Sequence, residues 1–218
     1  MPAEIAERRR LDAVEAVLGP DLLVWTVSIF AKYPRDPGYI SWHQDGTYWG
    51  LDSSQVTTAW VALTDSVIEN GCMRVLPGSH RSPILPHKDT YAPDNLLSRG
   101  QEVQAQVDEK DAVDIVLKAG EMSLHHVNII HGSNPNPSDQ PRYGFAIRFT
   151  TPKTKQIEGE PPTALLARGH DPEALLSVRT SGSSGEPLTV RRTWLEDKLQ
   201  YLLRLRALRA FGVGHRDH

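Results

Sequence analysis

Short apolar runs separated by turn residues dominate the middle of the chain. Residues 22–33 form the first run, which is rich in β-branched and aromatic residues and therefore predicts a strand. Further strands are predicted at 55–65, 72–76, 112–117, 121–124, 127–131 and 142–150. No helix is predicted between residues 22 and 152, so the pattern is typical of a β-sandwich or a barrel.

Helical patterns occur only at the two ends of this strand region. Residues 2–18 predict a short helix that stops at Gly19-Pro20, and residues 192–211 predict a closing helix with a broad leucine face. Between the strands and that second helix, residues 153–190 are rich in Pro, Gly and Ser and predict a flexible connector. We therefore predict a single domain over 1–218, with a strand core at 22–152 and a connector and helix at 153–218.

Two loops interrupt the strand pattern in different ways. Asn70 and Gly71 separate the predicted strands at 55–65 and 72–76, and they predict that these strands are neighbours joined by a short loop. Residues 80–112 are irregular and polar over a long stretch. Loops of that length are usually functional, so a lid or a crossover is expected there.

Overall composition is that of a globular protein without a strong charge bias. The 218 residues carry a formal net charge of −3, which gives no reason to expect nucleic acid or an anionic membrane as a partner. Cys72 is the sole cysteine, so an intrachain disulfide is impossible and a reducing compartment is expected. With no apolar leader or long apolar run, we predict a soluble cytoplasmic protein that is a monomer or a homodimer.

The first candidate for chemistry is the pair His43 and Asp45. On a strand, these two side chains project to the same side, because side chains alternate with a period of two. A second histidine from a distant strand would complete the two-histidine, one-carboxylate arrangement of non-haem Fe(II) oxygenases. His125, His126 and His131 compete for that role, and their spacing alone does not decide between them.

Four sequence blocks then point to a family. They are Trp-His-Gln-Asp-Gly at 42–46, Thr-Ala-Trp at 58–60, Glu-Asn-Gly-Cys-Met-Arg-Val-Leu-Pro-Gly-Ser-His at 69–80, and His-Gly-Ser-Asn at 131–134 followed by Arg142. In this order and spacing, they resemble the phytanoyl-CoA dioxygenase family of Fe(II)- and 2-oxoglutarate-dependent oxygenases. The resemblance and the strand pattern together predict a mainly β fold, a double-stranded β-helix of eight strands in a jelly-roll barrel with flanking N- and C-terminal helices.

The resemblance also implies which residues bind the cofactor. His43, Asp45 and His131 would hold the iron, and His126 matches a histidine that often precedes the ligand without binding metal. Two neutral imidazoles and one carboxylate leave Fe(II) with positive charge and open positions for other ligands.

A second group of residues is implied to bind the co-substrate. Arg142 would clamp the distal carboxylate of 2-oxoglutarate with help from the Ser133 hydroxyl, and Trp60 would line the co-substrate pocket. An arginine suits this task, because its rigid fork donates two parallel charge-assisted hydrogen bonds to a carboxylate.

The implied activity is hydroxylation of a small organic substrate with O2, while 2-oxoglutarate becomes succinate and CO2. Asp45 favours oxygenation over halogenation, since related halogenases replace that carboxylate with a small residue. One alternative is a metal-binding jelly-roll protein without turnover, that is, a truncated or regulatory member. Another is a cupin-type isomerase, against which Arg142 and the small number of histidine ligands argue.

Residues that contact the substrate are less well defined. Lys32 either meets a ligand carboxylate inside the barrel or, as we expect, lies on the surface. Candidates near the pocket mouth are Gln44, Tyr48, Trp49, Met73, Arg74, Arg81, Lys88 and Arg99. The family resemblance implies a longer N-terminal region than the 42 residues that precede His43, so a short, truncated or partner-dependent member is expected.

Overall fold

The computed structural model of the protein describes residues 3–158 and 164–170. The predicted closing helix over 192–211 lies outside the described residues, as does most of the predicted connector. Within the described ranges, no helix combines the length and the apolar character needed to cross a membrane.

Strands supply most of the regular structure in these ranges. The single α-helix there, α1, spans Ala3–Leu18, close to the predicted 2–18. The strands are β1 (Leu22–Lys32), β2 (Ile40–His43), β3 (Val56–Ala62), β4 (Met73–Val75), β5 (His87–Asp89), β6 (Gln101–Val103), β7 (Val113–Ile115), β8 (Met122–His126), β9 (His131–Ser133), β10 (Arg142–Thr150) and β11 (Leu165–Arg168).

These strands form two main antiparallel sheets and a hairpin. The large sheet has the order β11-β1-β10-β3-β8, the small sheet has the order β2-β9-β4-β7, and β5 pairs with β6. Leaving aside β11 and the hairpin, the chain alternates between the two sheets, except that β4 and β7 follow one another in the small sheet. This is the connectivity of an eight-stranded jelly roll, so the predicted double-stranded β-helix is confirmed.

The two faces of the large sheet have opposite character. Val61 of β3 and Ile147 of β10 share a buried apolar cluster with Val14 of α1, which covers the outer face. Their alternating neighbours, such as Thr58 and Arg142, line a cavity inside the barrel. Because side chains alternate with a period of two, the outer face supplies the larger apolar cluster, and the inner face carries polar groups beside a smaller one.

The prediction that the strands on either side of Asn70-Gly71 are paired neighbours is wrong. β3 belongs to the large sheet and β4 to the small sheet, so the connection crosses between sheets. The Asn70 side chain builds this corner: its Oδ1 accepts from the Val67 amide at 2.8 Å and its Nδ2 donates to the Asp65 carbonyl at 2.9 Å. Asn70-Gly71 therefore marks a tight turn here, but β4, the strand that follows it, pairs with β7 and β9 and not with β3.

The strand predicted at 127–131 is also wrong for most of its length. Residues 127–130 form a turn and an irregular link, in which the Ile129 amide donates to the His126 carbonyl at 3.0 Å, and β9 begins only at His131. Val127 and Ile130 are buried nonetheless. Their apolar character serves the packing of a corner between the two sheets rather than a strand.

Two segments expected to be irregular contain strands. The loop at 80–112 carries the hairpin of β5 and β6, and within the predicted connector β11 pairs with β1 at the edge of the large sheet. Arg168 of β11 also forms an ion pair with Asp12 of α1 at 2.7 Å. The many Pro, Gly and Ser residues of 153–190 predicted a flexible connector, although this range contains the four-residue strand β11.

Gly71 and Gly120 offer a matched test of the sheet-crossing corner. Both glycines have positive φ, 72° and 92°, so an alanine at either position is strained. A Cβ at 120 would meet nothing within 4 Å, whereas a Cβ at 71 would contact the Asn134 carbonyl oxygen and lie 2.6 Å from that of Pro135. We expect Gly120→Ala to cost about 1 kcal/mol and Gly71→Ala about 2–4 kcal/mol of the free energy of unfolding in urea. Equal losses in the two proteins would show that the backbone at Asn134 and Pro135 moves aside without lowering the free energy of unfolding.

Candidate active site

His43, Asp45 and His131 meet inside the barrel. His43 ends β2 and is the register partner of His131, which opens β9, so antiparallel pairing places the two imidazoles side by side. Asp45 opens a 3-10 turn directly after β2. The potential ligand atoms of these three buried residues all lie within 4.8 Å of one another. The sequence predicted that both His43 and Asp45 lie on a strand. Asp45 lies on the turn instead, and its carboxylate still converges with the His43 and His131 side chains.

The imidazoles of His43 and His131 are oriented by the same kind of contact, with the carbonyl oxygen two residues earlier in the chain. Nδ1 of His43 lies 2.9 Å from the carbonyl oxygen of Ser41, and Nδ1 of His131 lies 3.0 Å from that of Ile129. A carbonyl oxygen only accepts, so each Nδ1 carries the proton and each Nε2 presents a lone pair. Metal-binding histidines are held in this way, and the donor set therefore fits a divalent metal ion.

The protonation states favour metal binding as well. Burial, reinforced by the neighbouring His43, lowers the pKa of His131 to about 3, so its ring is neutral at neutral pH. Burial alone would raise the pKa of Asp45, but the adjacent His43 and His131 rings and the Arg148 guanidinium lower it more. A metal ion needs neutral imidazoles and an ionised carboxylate, and His131 and Asp45 are in those states.

The structure separates the three competing histidines. His125 lies in the barrel interior, with Nε2 3.9 Å from Oδ2 of Asp45, but it is not part of the group of converging ligand atoms. His126 faces away and stacks near His80, with ring centroids 5.7 Å apart, while its Nδ1 accepts from the Asn128 amide. His131 is thus the histidine that the fold brings to His43 and Asp45.

A cationic cluster adjoins the same cavity, which Arg142 and Ser133 line. Arg142 opens β10 and is the register partner of Lys32 at the end of β1, and both side chains are almost completely buried. Ser133 of β9 joins them: Nζ of Lys32 donates to its Oγ at 2.7 Å, and Nη2 of Arg142 lies 3.5 Å from the same oxygen. The Arg142 guanidinium also lies 5.4 Å from the centroid of the Trp60 ring.

The expectation that Lys32 lies on the surface is wrong. Lys32 is fully buried, and that burial, together with the charge of Arg142, lowers its pKa to about 7. Within the described residues, neither cation forms an ion pair with a carboxylate, and the Nε of Arg142 has no hydrogen-bond partner. Uncompensated buried cations are unfavourable, so the cluster is suited to a bound anion.

The cavity between the two clusters has an empty volume of about 420 Å³. Polar residues line its ends, and an apolar wall of Phe30, Ile40, Met73 and Leu97 closes its sides. Leu97 belongs to the predicted lid over 80–112, so part of that loop does contact the site. One cavity is thus lined both by three residues that could hold a metal ion and by a buried arginine.

Several predicted substrate contacts have structural roles instead. Gln44 is completely buried, where its amide donates to the Asn128 carbonyl at 2.8 Å and accepts from the Leu85 amide at 2.8 Å. Arg74 forms ion pairs with Glu109 at 2.8 Å and Asp114 at 3.2 Å. Neither side chain lines the cavity of the converging ligands.

Arg148 and Thr58 line the cavity without having been identified from the sequence. Arg148 follows Arg142 by six residues on β10, so both side chains face the interior, and Thr58 Oγ1 lies 3.5 Å from Oδ2 of Asp45. Once Arg142 is assigned to the interior, the period of two also assigns Arg148 there. The sequence alone could therefore have predicted that Arg148 faces the interior.

Comparison with known proteins places this geometry in a family. The model of the phytanoyl-CoA dioxygenase family, PhyH, matches residues 2–144. A phytanoyl-CoA dioxygenase from Arabidopsis thaliana is 32% identical over 116 residues, which cover 53% of this chain and 40% of that protein. A probable alpha-ketoglutarate-dependent hypophosphite dioxygenase from Stutzerimonas stutzeri is 26% identical over 136 residues, covering 62% of this chain and 47% of that protein. The chain thus spans less than half the length of these curated relatives.

Solved structures show the same fold. The apo form of the non-heme monooxygenase ThoJ is 37% identical, with a TM-score of 0.69 over 93% of this chain and 72% of that one. The epimerase SnoN, in complex with Fe3+, alpha ketoglutarate and nogalamycin RO, is 23% identical and matches the fold with a TM-score of 0.57 over 70% of this chain and 59% of that one. With the family model covering most of its length, the chain belongs to the phytanoyl-CoA dioxygenase family of Fe(II)- and 2-oxoglutarate-dependent oxygenases.

Proposed function

We propose that the protein is an Fe(II)- and 2-oxoglutarate-dependent dioxygenase that hydroxylates a small organic substrate. In this reaction O2 is consumed, and 2-oxoglutarate is converted to succinate and CO2. The observation that carries the proposal is one cavity lined by His43, Asp45 and His131 and also by Arg142 and Ser133, the last of which is hydrogen-bonded to Lys32.

His43, Asp45 and His131 would hold the iron. Imidazole and carboxylate ligands in this ratio are typical of non-haem Fe(II) oxygenases, because three protein ligands leave room for other ligands at the metal. When bound, the iron supplies the activation of dioxygen that is coupled to oxidation of the 2-oxo acid. The chain's own contribution is to fix the imidazoles through Ser41 and Ile129 and to keep the Asp45 carboxylate ionised.

Lys32, Ser133 and Arg142 would hold the distal carboxylate of 2-oxoglutarate. The Ser133 hydroxyl accepts from Lys32 and is therefore free to donate its own proton to a carboxylate oxygen. Arg142 adds charge-assisted hydrogen bonds in a fixed plane, and Trp60 supports the guanidinium. A dicarboxylate bound here is oriented with its other end towards the three ligands, which is the direction that the chemistry requires.

Asp45 and the apolar wall support oxygenation as the outcome. The carboxylate takes up the position that related halogenases leave open for a halide. Phe30, Met73 and Leu97 restrict water around the reacting groups, and a site that excludes water protects reactive species from side reactions.

A metal-binding jelly-roll protein without turnover is the second candidate. The convergence of His43, Asp45 and His131 is all that this candidate requires. Anaerobic titration with Fe(II) and 2-oxoglutarate, followed by oxygen uptake, separates the two candidates. A visible charge-transfer band with oxygen uptake indicates the enzyme, and metal binding with neither indicates the alternative.

Removal of a proposed iron ligand tests the metal site. We expect His131→Ala to lower iron-dependent succinate formation by more than about 100-fold, since even residues behind the ligands contribute roughly 10–100-fold. His126→Ala is the matched control, because His126 lies close in sequence but faces away from the cavity. Full activity of the His131→Ala protein, or loss of activity in the control alone, would mean that the wrong histidine has been assigned.

Arg142→Gln tests the carboxylate clamp. Charge-assisted hydrogen bonds of about 2–3 kcal/mol are lost, so the 2-oxoglutarate concentration at half-maximal succinate formation should rise by about 30- to 150-fold. Arg74→Gln removes an arginine that pairs on the surface with Glu109 and Asp114, and it should leave that concentration unchanged. An unchanged requirement in the Arg142→Gln protein would exclude the clamp.

Lys32 makes 2-oxoglutarate binding dependent on pH. Its pKa is about 7 in the free protein, and a bound carboxylate raises that pKa, so binding above pH 7 takes up a proton. Affinity is therefore highest below pH 7 and should fall as the pH rises above it, by up to about tenfold per pH unit. Calorimetry on the Ni(II)-loaded protein in two buffers of different ionisation enthalpy measures the uptake. Lys32→Met should abolish it, and the same uptake in this variant would assign the proton to another group.

A further inference from the structure

Arg148 is a second buried arginine that the proposed iron and 2-oxoglutarate sites do not use. Its side chain is only 7% exposed, and it projects into the barrel from the same face of β10 as Arg142. Nη1 donates to Oγ of Ser28 at 2.7 Å, but Nε is buried without a hydrogen-bond partner in the described part of the chain. No carboxylate among the described residues forms an ion pair with it, so its positive charge has no dedicated counterion.

Aromatic rings fix the orientation of this guanidinium. Its central carbon lies 5.6 Å from the centroid of the Trp49 ring and 5.9 Å from that of Phe30, within the range of cation–π interactions. Trp49 in turn packs on Trp25, with ring centroids 4.9 Å apart. A guanidinium held in this way loses little conformational freedom when it binds a planar anion.

Arg148 lies where two cavities adjoin. It lines the inner cavity with the three converging ligands, and it also lines an outer, more open cavity with an empty volume of about 1280 Å³. Phe30 and Leu97 are shared by both cavities as well. The rest of the outer wall combines the aromatic residues Trp25, Tyr48 and Trp49 with small polar and aliphatic residues, namely Thr26, Ser28, Ile29, Ala31, Leu96 and Ser98. A molecule seated there therefore reaches the inner cavity past Arg148.

The charges of the loaded site leave Arg148 uncompensated. A divalent metal, the Asp45 carboxylate, a dicarboxylate co-substrate, Arg142 and the protonated Lys32 together sum to a charge of +1. Arg148 then adds a buried positive charge, and Asp45, the acidic group that acts on it, is engaged as a proposed metal ligand. A buried charge is stabilised by a hydrogen-bonded partner of opposite sign, and a further anion would supply that partner.

We propose that Arg148 binds a carboxylate of the substrate, whose apolar or aromatic body packs on Trp25, Tyr48 and Trp49. This inference rests on the proposed function, because it takes the inner cavity to be occupied by 2-oxoglutarate. The Ser28 hydroxyl accepts from Nη1 and can donate its own proton, so together with the guanidinium it suits a small planar acceptor. Arg148 would thus select acidic substrates and place the carbon to be oxidised at a fixed distance from the metal ligands.

Binding of a matched pair of probes tests this assignment without turnover. The probes are 3-phenylpropionate and its neutral isostere 3-phenylpropionamide, titrated by calorimetry into the Ni(II)-loaded protein saturated with 2-oxoglutarate. We expect the carboxylate to bind at least about tenfold more tightly than the amide, the value of one charge-assisted hydrogen bond. Equal binding of the two probes to the unaltered protein would overturn the proposal, and this comparison requires no variant.

Arg148→Gln and Arg148→Lys complete the test. Arg148→Gln should abolish the preference for the carboxylate while affinity for the amide and for 2-oxoglutarate is unchanged, and Arg148→Lys should retain part of the preference. A loss of 2-oxoglutarate affinity in Arg148→Gln would overturn the proposal by assigning this arginine to the co-substrate. Displacement of the probe by added 2-oxoglutarate would do the same, because the probe would then lie at Arg142.

Failure of the proposed function is distinguishable from failure of this inference. Absence of 2-oxoglutarate binding to the unaltered protein would refute only the former. In that case the probes are titrated without co-substrate into Arg148→Gln and Arg142→Gln proteins. Loss of carboxylate preference in Arg148→Gln alone supports the inference, and loss in Arg142→Gln alone overturns it.

Discussion

The pairing of β2 with β9 is the constraint on which the rest of the site depends. It makes His43 and His131 register partners although 87 residues separate them in the sequence. Each ring is then oriented by the carbonyl oxygen two residues before it, at Ser41 and at Ile129. Side chains of a strand pair lie about 5 Å apart on one face, so two ligands of a metal converge without any long side chain having to bend. Asp45 completes the group because the chain turns immediately after β2.

The barrel interior can carry polar groups because most of the apolar packing of the large sheet is on its other face. There Val14 of α1 meets Val61 and Ile147 in the largest buried apolar cluster, whereas the cluster on the inner face, formed by Trp60, Ala62 and Ala146, is smaller. The inner face carries Lys32 and Arg142, which are almost completely buried. Buried cations lower stability unless an anion compensates them, whereas apolar burial contributes about 25 cal/mol per Å². The fold thus separates the surface that stabilises it from the surface that binds ligands.

The sequence predicted the fold class, α1, most of the strands and the three converging residues, because each depends on local patterns or on the family blocks. What it did not predict depends on which sheet or which face a segment joins. Asn70-Gly71 indicates a turn, but the sheet that receives β4 is decided by hydrogen bonds to β7 and β9, distant in sequence. Val127 and Ile130 are as apolar as strand residues, yet they fill a corner. For Lys32, a period of two gives the alternation but not which set faces inward.

β10 carries both of the arginines to which we assign an anion, Arg142 for the co-substrate and Arg148 for the substrate. Its inward-facing residues are Arg142, Gly144, Ala146 and Arg148, with cations at the ends and small residues between them. A Cβ at Gly144 would clash with the Trp60 ring, so the glycine makes room for the aromatic that supports Arg142. Six residues of an extended strand span about 20 Å, longer than a five-carbon dicarboxylate. The Cα atoms of Arg142 and Arg148 are therefore further apart than the co-substrate is long, and Arg148 lines both the inner and the outer cavity.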